Sequence, residues 1–227
     1  MSSRSETFLS WVLTISAVVI AGVTVGREVT DRRERVDIPN PNDPPTLVGE
    51  WEKLPAEGIL VGNSSAPVMV VEFSDLECPF CRRFHEQLLE LRQAFKDKVA
   101  YTFIHFPLNG HRNAYAAARA AECAYSQGRF EAFISAVFST QDSLGQKAWS
   151  RYGREAMVPD SAEFARCSSD TARVERVDRG RALGSLLKVR GTPTVIVNGW
   201  RFATPPTDTQ LRRVVNDLLN GRELFGK

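Results

Sequence analysis

Two cysteines, Cys78 and Cys81, lie where the sequence changes from a strand-like to a helix-like pattern, in VVEFSDLECPFCRRFHEQLLEL (residues 70–91). The apolar run Ala66–Phe73 before them is typical of a buried strand. After Cys81 the apolar residues recur with the spacing of one helix face, at Phe84, Leu88, Leu91 and Phe95. The chain must therefore place a Cys-x-x-Cys pair at the junction of a strand and a helix.

The rest of the sequence extends this junction into a mixed α/β pattern. Val99–Leu108 is a second apolar run, and a strand, a helix and a strand in this order form a βαβ unit with parallel strands. Residues from about 111 to 187 have helical spacing. Thr192–Phe202 returns to a strand pattern with Asn-Gly as a two-residue turn, and Asp208–Leu219 predicts a closing helix. The expected order is βαβ, then helices, then ββα.

A membrane anchor is predicted at residues 8–26, which contain no charged side chain. As a helix this segment would be about 29 Å long, close to the thickness of the hydrocarbon core of a bilayer. The sequence AGVTVGREV at its end offers no good A-x-A cleavage match, which favours an anchor over a signal peptide. Arginines are more frequent after the segment than before it, and by the positive-inside rule they would keep the C-terminal side in the cytoplasm. On charge alone the orientation stays open.

The predicted domains of the 227-residue chain are a tail (1–7), the anchor (8–26), a Pro-rich linker (27–50) and a folded domain (51–227). Prolines in the linker fix φ and remove backbone donors, so we expect an extended, semi-rigid spacer. The formal net charge is only +2, and positive residues are scattered among acids. This composition argues against a nucleic-acid partner.

Three chemistries are possible for the cysteine pair: metal binding, a structural disulfide, or electron transfer. A structural zinc site needs four ligands, but there is one pair, and the histidines, including His105 and His111, are not at finger-like spacings. A ring closed by Cys78 and Cys81 would constrain little of the chain. Because Pro79 begins a helix, free N–H groups and the helix dipole favour a thiolate at Cys78. We therefore predict a redox pair in which Cys78 attacks and Cys81 resolves, and we interpret both histidines as core or surface residues.

The motif FSDLECPFC, together with RGTPTVIVNG far downstream, resembles the DsbA-like branch of the thioredoxin superfamily across roughly residues 48–224. The resemblance implies a thioredoxin fold with an inserted helical subdomain at about 111–187. It also implies that Cys78 is the exposed nucleophile of the pair and Cys81 its buried partner.

Further site residues follow only from this resemblance. Pro193 would be a cis-proline that faces the disulfide, and Thr192 would offer backbone groups to an extended substrate peptide. Glu72 would be a buried acid beneath the disulfide that relays a proton to or from the resolving cysteine. Cys123 and Cys167 would form a second, structural disulfide, with two buried free thiols as the alternative.

The function implied is that of a membrane-anchored thiol–disulfide oxidoreductase in the periplasm or outside the cell. It would introduce disulfides into exported proteins without a metal or other cofactor, and a membrane oxidase of the DsbB or VKOR type would regenerate it. Phe80 occupies the position where the strong oxidants of this group have a histidine, so a reductase or isomerase is the alternative within the class. A redox-inactive peptide-binding or chaperone module is the alternative outside it.

Overall fold

The structure is a computed structural model that describes residue 40 and residues 42–225. The predicted tail, the predicted anchor at 8–26 and most of the predicted linker lie outside these residues. Within the described part of the chain, no helix has both the length and the apolar character needed to cross a bilayer.

One mixed sheet forms the centre of the described domain. Its strands are Thr46–Leu47 (β1), Ile59–Val61 (β2), Val68–Ser74 (β3), Val99–His105 (β4), Thr194–Val197 (β5) and Trp200–Arg201 (β6). Their spatial order is β1-β6-β5-β3-β4-β2. β3 and β4 are parallel, which confirms the prediction from the βαβ pattern, and β5 is antiparallel to β3. Every residue of β3 and β4 is buried, and for this reason both strands are nearly continuous apolar runs in the sequence.

The sheet begins earlier in the chain than predicted. β1 pairs with β6 in antiparallel fashion, with Thr46 opposite Arg201 and Leu47 opposite Trp200. Because β1 lies inside the range 27–50 assigned to the linker, the folded domain starts before the predicted boundary at residue 51. The two exposed residues of β1 carry no periodic pattern of their own, so only their pairing with β6 reveals the strand.

The hairpin β5–β6 is closed by the predicted Asn-Gly turn. Asn198 has φ 42° and Gly199 has φ 89°, the positive values that a two-residue hairpin turn requires. The Asn198 side chain also accepts a hydrogen bond from the Met69 N–H (2.7 Å) and donates one to the Pro67 carbonyl (2.9 Å). These bonds hold the hairpin against the start of β3.

The helices of the described domain surround the sheet. Their bounds are Pro79–Phe95 (α1), Ala114–Tyr125 (α2), Phe130–Ser139 (α3), Trp149–Glu155 (α4), Ser161–Ser169 (α5), Glu175–Leu186 (α6) and Asp208–Leu219 (α7). Short 3₁₀ turns lie at Trp51–Glu57, Lys96–Lys98 and Gln141–Ser143. The stretch from α2 to α6 is the helical insertion that the sequence predicted.

The sheet separates two apolar cores. On one face α1 buries Phe84, Leu88 and Leu91, together with residues of α7 and the insertion. Each such side chain contributes roughly 1.5–3 kcal/mol by leaving water. On the other face α6 packs directly on β4. Gly180 makes this close approach possible, since a Cβ at this position would lie only 2.3 Å from the His105 carbonyl oxygen. This packing fixes the C-terminal end of β4, and with it the start of the loop that follows.

Candidate active site

Cys78 lies at the N-terminal end of α1, just past the C-terminal end of β3. It is the N-cap residue of the helix, in extended conformation, and Pro79 occupies the first helical position. Its backbone N–H donates to the Asp75 carbonyl (3.1 Å), and its thiol donates to the Thr192 carbonyl (3.2 Å). The Cys78 sulfur is thus held between the first turn of α1 and the segment before β5.

The surroundings of Cys78 favour the thiolate. Hydrogen bonds that a Cys78 thiolate would accept, from the Cys81 thiol, the Thr192 hydroxyl and the backbone N–H groups of Cys81 and Phe80, lower the pKa of Cys78 to about 6, against the opposing effect of burial. The backbone donors are among those that a helix leaves unpaired in its first turn. The sequence predicts their effect from the position of Cys78 alone.

With 3% of its surface exposed, Cys78 is itself buried, so the expectation of an exposed nucleophile was wrong. Cys81 lies one turn further into α1 and differs from Cys78 in how readily its thiol ionises. It is fully buried, and burial, followed by its hydrogen bond to Cys78 and the charges of Glu72 and Cys78, raises the pKa of its thiol well above the ordinary value. The Asp75 N–H lies 3.4 Å from its sulfur. Both cysteines are thiols in the structure. One thiol that ionises readily therefore lies beside one that does not, which is the asymmetry an attacking and a resolving sulfur need.

The segment from far along the chain meets Cys78 at a cis peptide bond. The Thr192–Pro193 bond is cis, and Pro193 is buried. With Cys78 as a thiol, the buried Thr192 hydroxyl has no hydrogen-bond partner among residues 42–225, so it is available to donate to a thiolate. The structure thus brings together Cys78, Thr192 and Pro193 at one point.

Glu72 lies in the middle of β3, with 1% of its surface exposed. Burial raises the pKa of its carboxyl group to about 8; the Ser74 hydroxyl lowers it by less, and the charge of Cys78 raises it further. Its charge in turn acts on Cys81. A carboxyl group of this kind keeps its proton near neutral pH and can exchange it with a neighbouring thiolate.

The other two cysteines lie in the helical insertion. A disulfide joins Cys123 of α2 to Cys167 of α5, with 5.9 Å between their Cα atoms. It fastens two helices that also pack against each other. Neither cysteine of this disulfide belongs to α1, the helix that carries Cys78 at its N-cap and Cys81 in its first turn.

Three further residues of the site carry no local sequence signal. Gln141, from the insertion, donates to the carbonyls of Leu76 (2.8 Å) and Cys78 (3.0 Å) and so holds the loop before α1. Asp75 accepts a hydrogen bond from His111 (2.7 Å). His111, whose side chain is 28% exposed, thus approaches the loop that carries Cys78, a point that the sequence left open. Only the fold brings these residues together.

Two observations concern other kinds of site in the described part of the chain. There, no three His, Cys, Asp or Glu side chains come together as metal ligands would. A cavity of about 310 Å³ lies beside Phe202, Arg213 and Phe225, and none of the predicted site residues lines it.

Comparison with known proteins gives one family. A family model described as thioredoxin matches residues 55–217. Among curated proteins, the Na⁺/H⁺ antiporter NhaA 1 of Mycolicibacterium gilvum is 34% identical over 156 residues, which cover 63% of this chain and 24% of the antiporter. The chain thus spans about a quarter of the length of this curated relative.

Solved structures have the same fold. A thioredoxin-like oxidoreductase from Silicibacter pomeroyi is 26% identical, with a TM-score of 0.63 over 76% of this chain and 99% of that one. The thiol–disulfide exchange protein alpha-DsbA2 from Wolbachia pipientis is 22% identical, with a TM-score of 0.65 over 74% of this chain and 92% of that one.

Proposed function

The chain belongs to the thioredoxin family, in its DsbA-like form, and from this premise we propose that it is a thiol–disulfide oxidoreductase acting on exported proteins. Its redox centre is Cys78-Pro-Phe-Cys81, and its main reaction is the introduction of disulfides. The antiport named for the longer relatives is not part of the proposal, because the chain spans about a quarter of their length.

One observation carries the proposal. The Cys78 sulfur lies at the N-terminus of α1, 3.2 Å from the Thr192 carbonyl that precedes cis-Pro193, and its pKa is lowered to about 6. A thiolate there is a good leaving group, so a mixed disulfide at Cys78 breaks readily in favour of a new substrate disulfide. A structural or metal-binding pair has no need of this asymmetry between two thiols.

The first step forms the mixed disulfide. A substrate thiolate attacks the Cys78 sulfur of the enzyme disulfide, the sulfur–sulfur bond to Cys81 breaks, and Cys81 leaves with the electron pair. Its high pKa means that the departing Cys81 sulfur takes up a proton at once, and the buried Glu72 carboxyl group is the donor. In the reverse direction the Glu72 carboxylate takes the proton back.

The second step releases the product. A second substrate thiolate attacks the substrate sulfur of the mixed disulfide, and Cys78 leaves as a thiolate that the first turn of α1 stabilises. The substrate has then lost two electrons, and the Cys78–Cys81 pair has gained them. Before this step, the Thr192 carbonyl, in the segment that precedes β5, offers a hydrogen bond to an extended peptide bonded to Cys78.

The proposed location follows from this chemistry and from residues 8–26. Protein disulfides persist in oxidising compartments, so the catalytic domain would lie in the periplasm or outside the cell, held by the predicted anchor. The reduced pair must be oxidised again after each cycle. A membrane oxidase of the DsbB or VKOR type is the expected partner, since it would work at the same membrane surface.

Phe80 favours a second possibility for the direction of electron flow. It is exposed between the cysteines, and it supplies no positive charge to the thiolate. A less stabilised thiolate gives a less oxidising pair, and such a pair can work as a reductase or isomerase. The equilibrium constant of the Cys78–Cys81 pair with glutathione separates these roles.

Trapping of substrates tests the proposal. A Cys81→Ser variant, expressed in the full chain, should accumulate mixed disulfides with exported proteins, because no resolving thiol remains. The matched Cys78→Ser variant should trap none and should lose all disulfide exchange. A Cys78→Ser variant that keeps full activity would identify a redox-inactive binding module and contradict the proposal.

A further inference from the structure

The loop between β3 and α1 is tied to the loop after β4 by two carboxylates, that of the buried Asp75 and that of the half-buried Glu77. The Asp75 carboxylate, with no exposed surface, accepts hydrogen bonds from the Leu108 N–H (2.8 Å), the Glu77 N–H (2.7 Å) and His111 Nδ1 (2.7 Å). Glu77 accepts two more from Asn113, at 2.6 Å and 3.1 Å. The position of His111 is therefore fixed relative to the loop that carries Cys78.

The backbone of Asp75 also contacts both cysteines. Its carbonyl accepts the Cys78 N–H at 3.1 Å, and its N–H lies 3.4 Å from the Cys81 sulfur. One residue thus connects His111 to the redox pair through a hydrogen bond on each side. Asp75 thus contacts His111 with its side chain, and with its backbone it contacts the Cys78 N–H and the Cys81 sulfur.

The groups around His111 favour its protonated, positively charged form. Among the described residues, the charged groups that act on it are Asp75 and Glu77 from the loop before α1 and the thiolate of Cys78, all of them negative. Burial lowers the pKa of His111, but the hydrogen bond and charge of Asp75, with the charges of Cys78 and Glu77, outweigh it and raise the pKa. The interaction between two titrating groups is mutual, so a protonated His111 favours the Cys78 thiolate in turn.

We propose that His111, held by Asp75, supplies the positive charge that stabilises the reduced pair, a charge that Phe80 between the cysteines does not provide. His111 makes no contact with the reacting sulfur that the structure records, so it is a positioning residue for the site. This inference rests on the proposed function, because it concerns how oxidising the same pair is.

The electron balance gives the direction of the effect. In the oxidising direction a substrate dithiol loses two electrons and two protons, and the Cys78–Cys81 disulfide breaks. The enzyme keeps both electrons and one proton, as a Cys78 thiolate and a Cys81 thiol, and the other proton goes to solvent. Protonated His111 stabilises this reduced form, so it makes the disulfide a stronger oxidant.

The test is the redox equilibrium of the full chain with glutathione, measured for the wild type and for His111→Gln. At about pH 6.5, where a histidine with a raised pKa is charged, the variant should favour its oxidised form by roughly threefold to tenfold. That change corresponds to a potential more negative by about 15–30 mV for this two-electron pair. At about pH 9, where His111 is neutral, the two potentials should agree.

Two further variants make the result specific. Arg112→Gln removes a charge from the neighbouring, exposed residue and should leave the potential unchanged at both pH values. His111→Lys keeps a positive charge that does not titrate in this range, so its potential should stay near that of the wild type at about pH 6.5; it also serves if His111→Gln does not fold.

Equal potentials for the wild type and His111→Gln at about pH 6.5, or a difference that persists undiminished at about pH 9, would overturn the inference. In either case, exchange activity of the wild type would leave the proposed function standing. A wild type without any thiol–disulfide exchange would instead remove the proposed function itself.

Discussion

Replacement of Glu72 by Gln should stabilise the protein at neutral pH and abolish part of its pH dependence. Burial raises the pKa of Glu72 to about 8 from the ordinary 4.5. Between these values the unfolded chain releases the proton that the folded chain retains, so the free energy of unfolding falls as pH rises, by about 1.4 kcal/mol per pH unit. pH 7 lies about 2.5 units above the ordinary pKa of a Glu carboxyl group, so at this pH the free energy of unfolding is lower by about 3 kcal/mol. The decrease levels off above about pH 8. The amide of the Glu72→Gln variant does not titrate, so the variant would escape this loss.

The measurement is urea unfolding of the reduced protein, wild type and Glu72→Gln, at several pH values from about 4.5 to 8. Only the difference between the two proteins reports on Glu72, because the lowered pKa of Cys78 has the opposite effect. The Cys78 thiolate adds stability above its unfolded pKa of 9.0, and this contribution is lost as pH falls through about 6. We expect the difference to grow from near zero at about pH 4.5 to about 3 kcal/mol at pH 7. A difference that stays constant with pH would show that Glu72 is ionised in the folded protein and would refute the assigned role.

Three other results are expected. Alkylation of Cys78 by iodoacetamide should have its pH midpoint near 6, against about 9 in the denatured chain; a midpoint above about 8 would contradict a stabilised thiolate. Replacing Cys123 and Cys167 together by Ala should lower the free energy of unfolding by about 4 kcal/mol, the value that the chain-entropy model gives for a sequence separation of 44 residues. The pH midpoint of Cys78 alkylation should not change. A loss below about 1 kcal/mol in thermal unfolding would argue against the chain-entropy model. Gln141→Leu removes the side-chain donor from the buried Leu76 carbonyl and one of the two donors from the Cys78 carbonyl, which keeps the Arg82 N–H (3.2 Å). Denaturant unfolding should therefore show a free energy of unfolding lower by about 1–3 kcal/mol, and an unchanged value would mean that water replaces the amide.

Much of the fold could be predicted because its signals are local. Burial on both faces makes β3 and β4 continuous apolar runs, the stripe from Phe84 to Phe95 has helical spacing, and Asn198-Gly199 supplies the positive φ values of a hairpin. β1 was missed for the opposite reason. Its two residues are exposed and become a strand only by pairing with β6, which lies far along the chain, with Thr46 opposite Arg201.

The residues of the redox site also fall into two groups, those with a local sequence signal and those without one. Cys78 can be placed from sequence because a helix start is a local event, and a cysteine at that point meets free amide groups whatever the rest of the fold does. The pairing of Cys123 with Cys167, the cis bond before Pro193 and the burial of Glu72 came from a family resemblance. No spacing or composition in one chain could supply them.

On the proposal for His111, the residues between the two cysteines do not alone determine the reactivity of the pair. Phe80 indicated a weak oxidant as long as only the CPFC motif was considered. In the folded chain the loop after β4 brings His111 to Asp75, 36 residues away in sequence, and Asp75 contacts both cysteines through its backbone. A positive charge held in this way acts through a buried, poorly screened region, whereas one at position 80 would be exposed to solvent. Donors within the motif and Thr192 stabilise the Cys78 thiolate, and on our proposal the loop that carries His111 adds to them, so variation at His111 should change the stability of the thiolate as variation between the cysteines does.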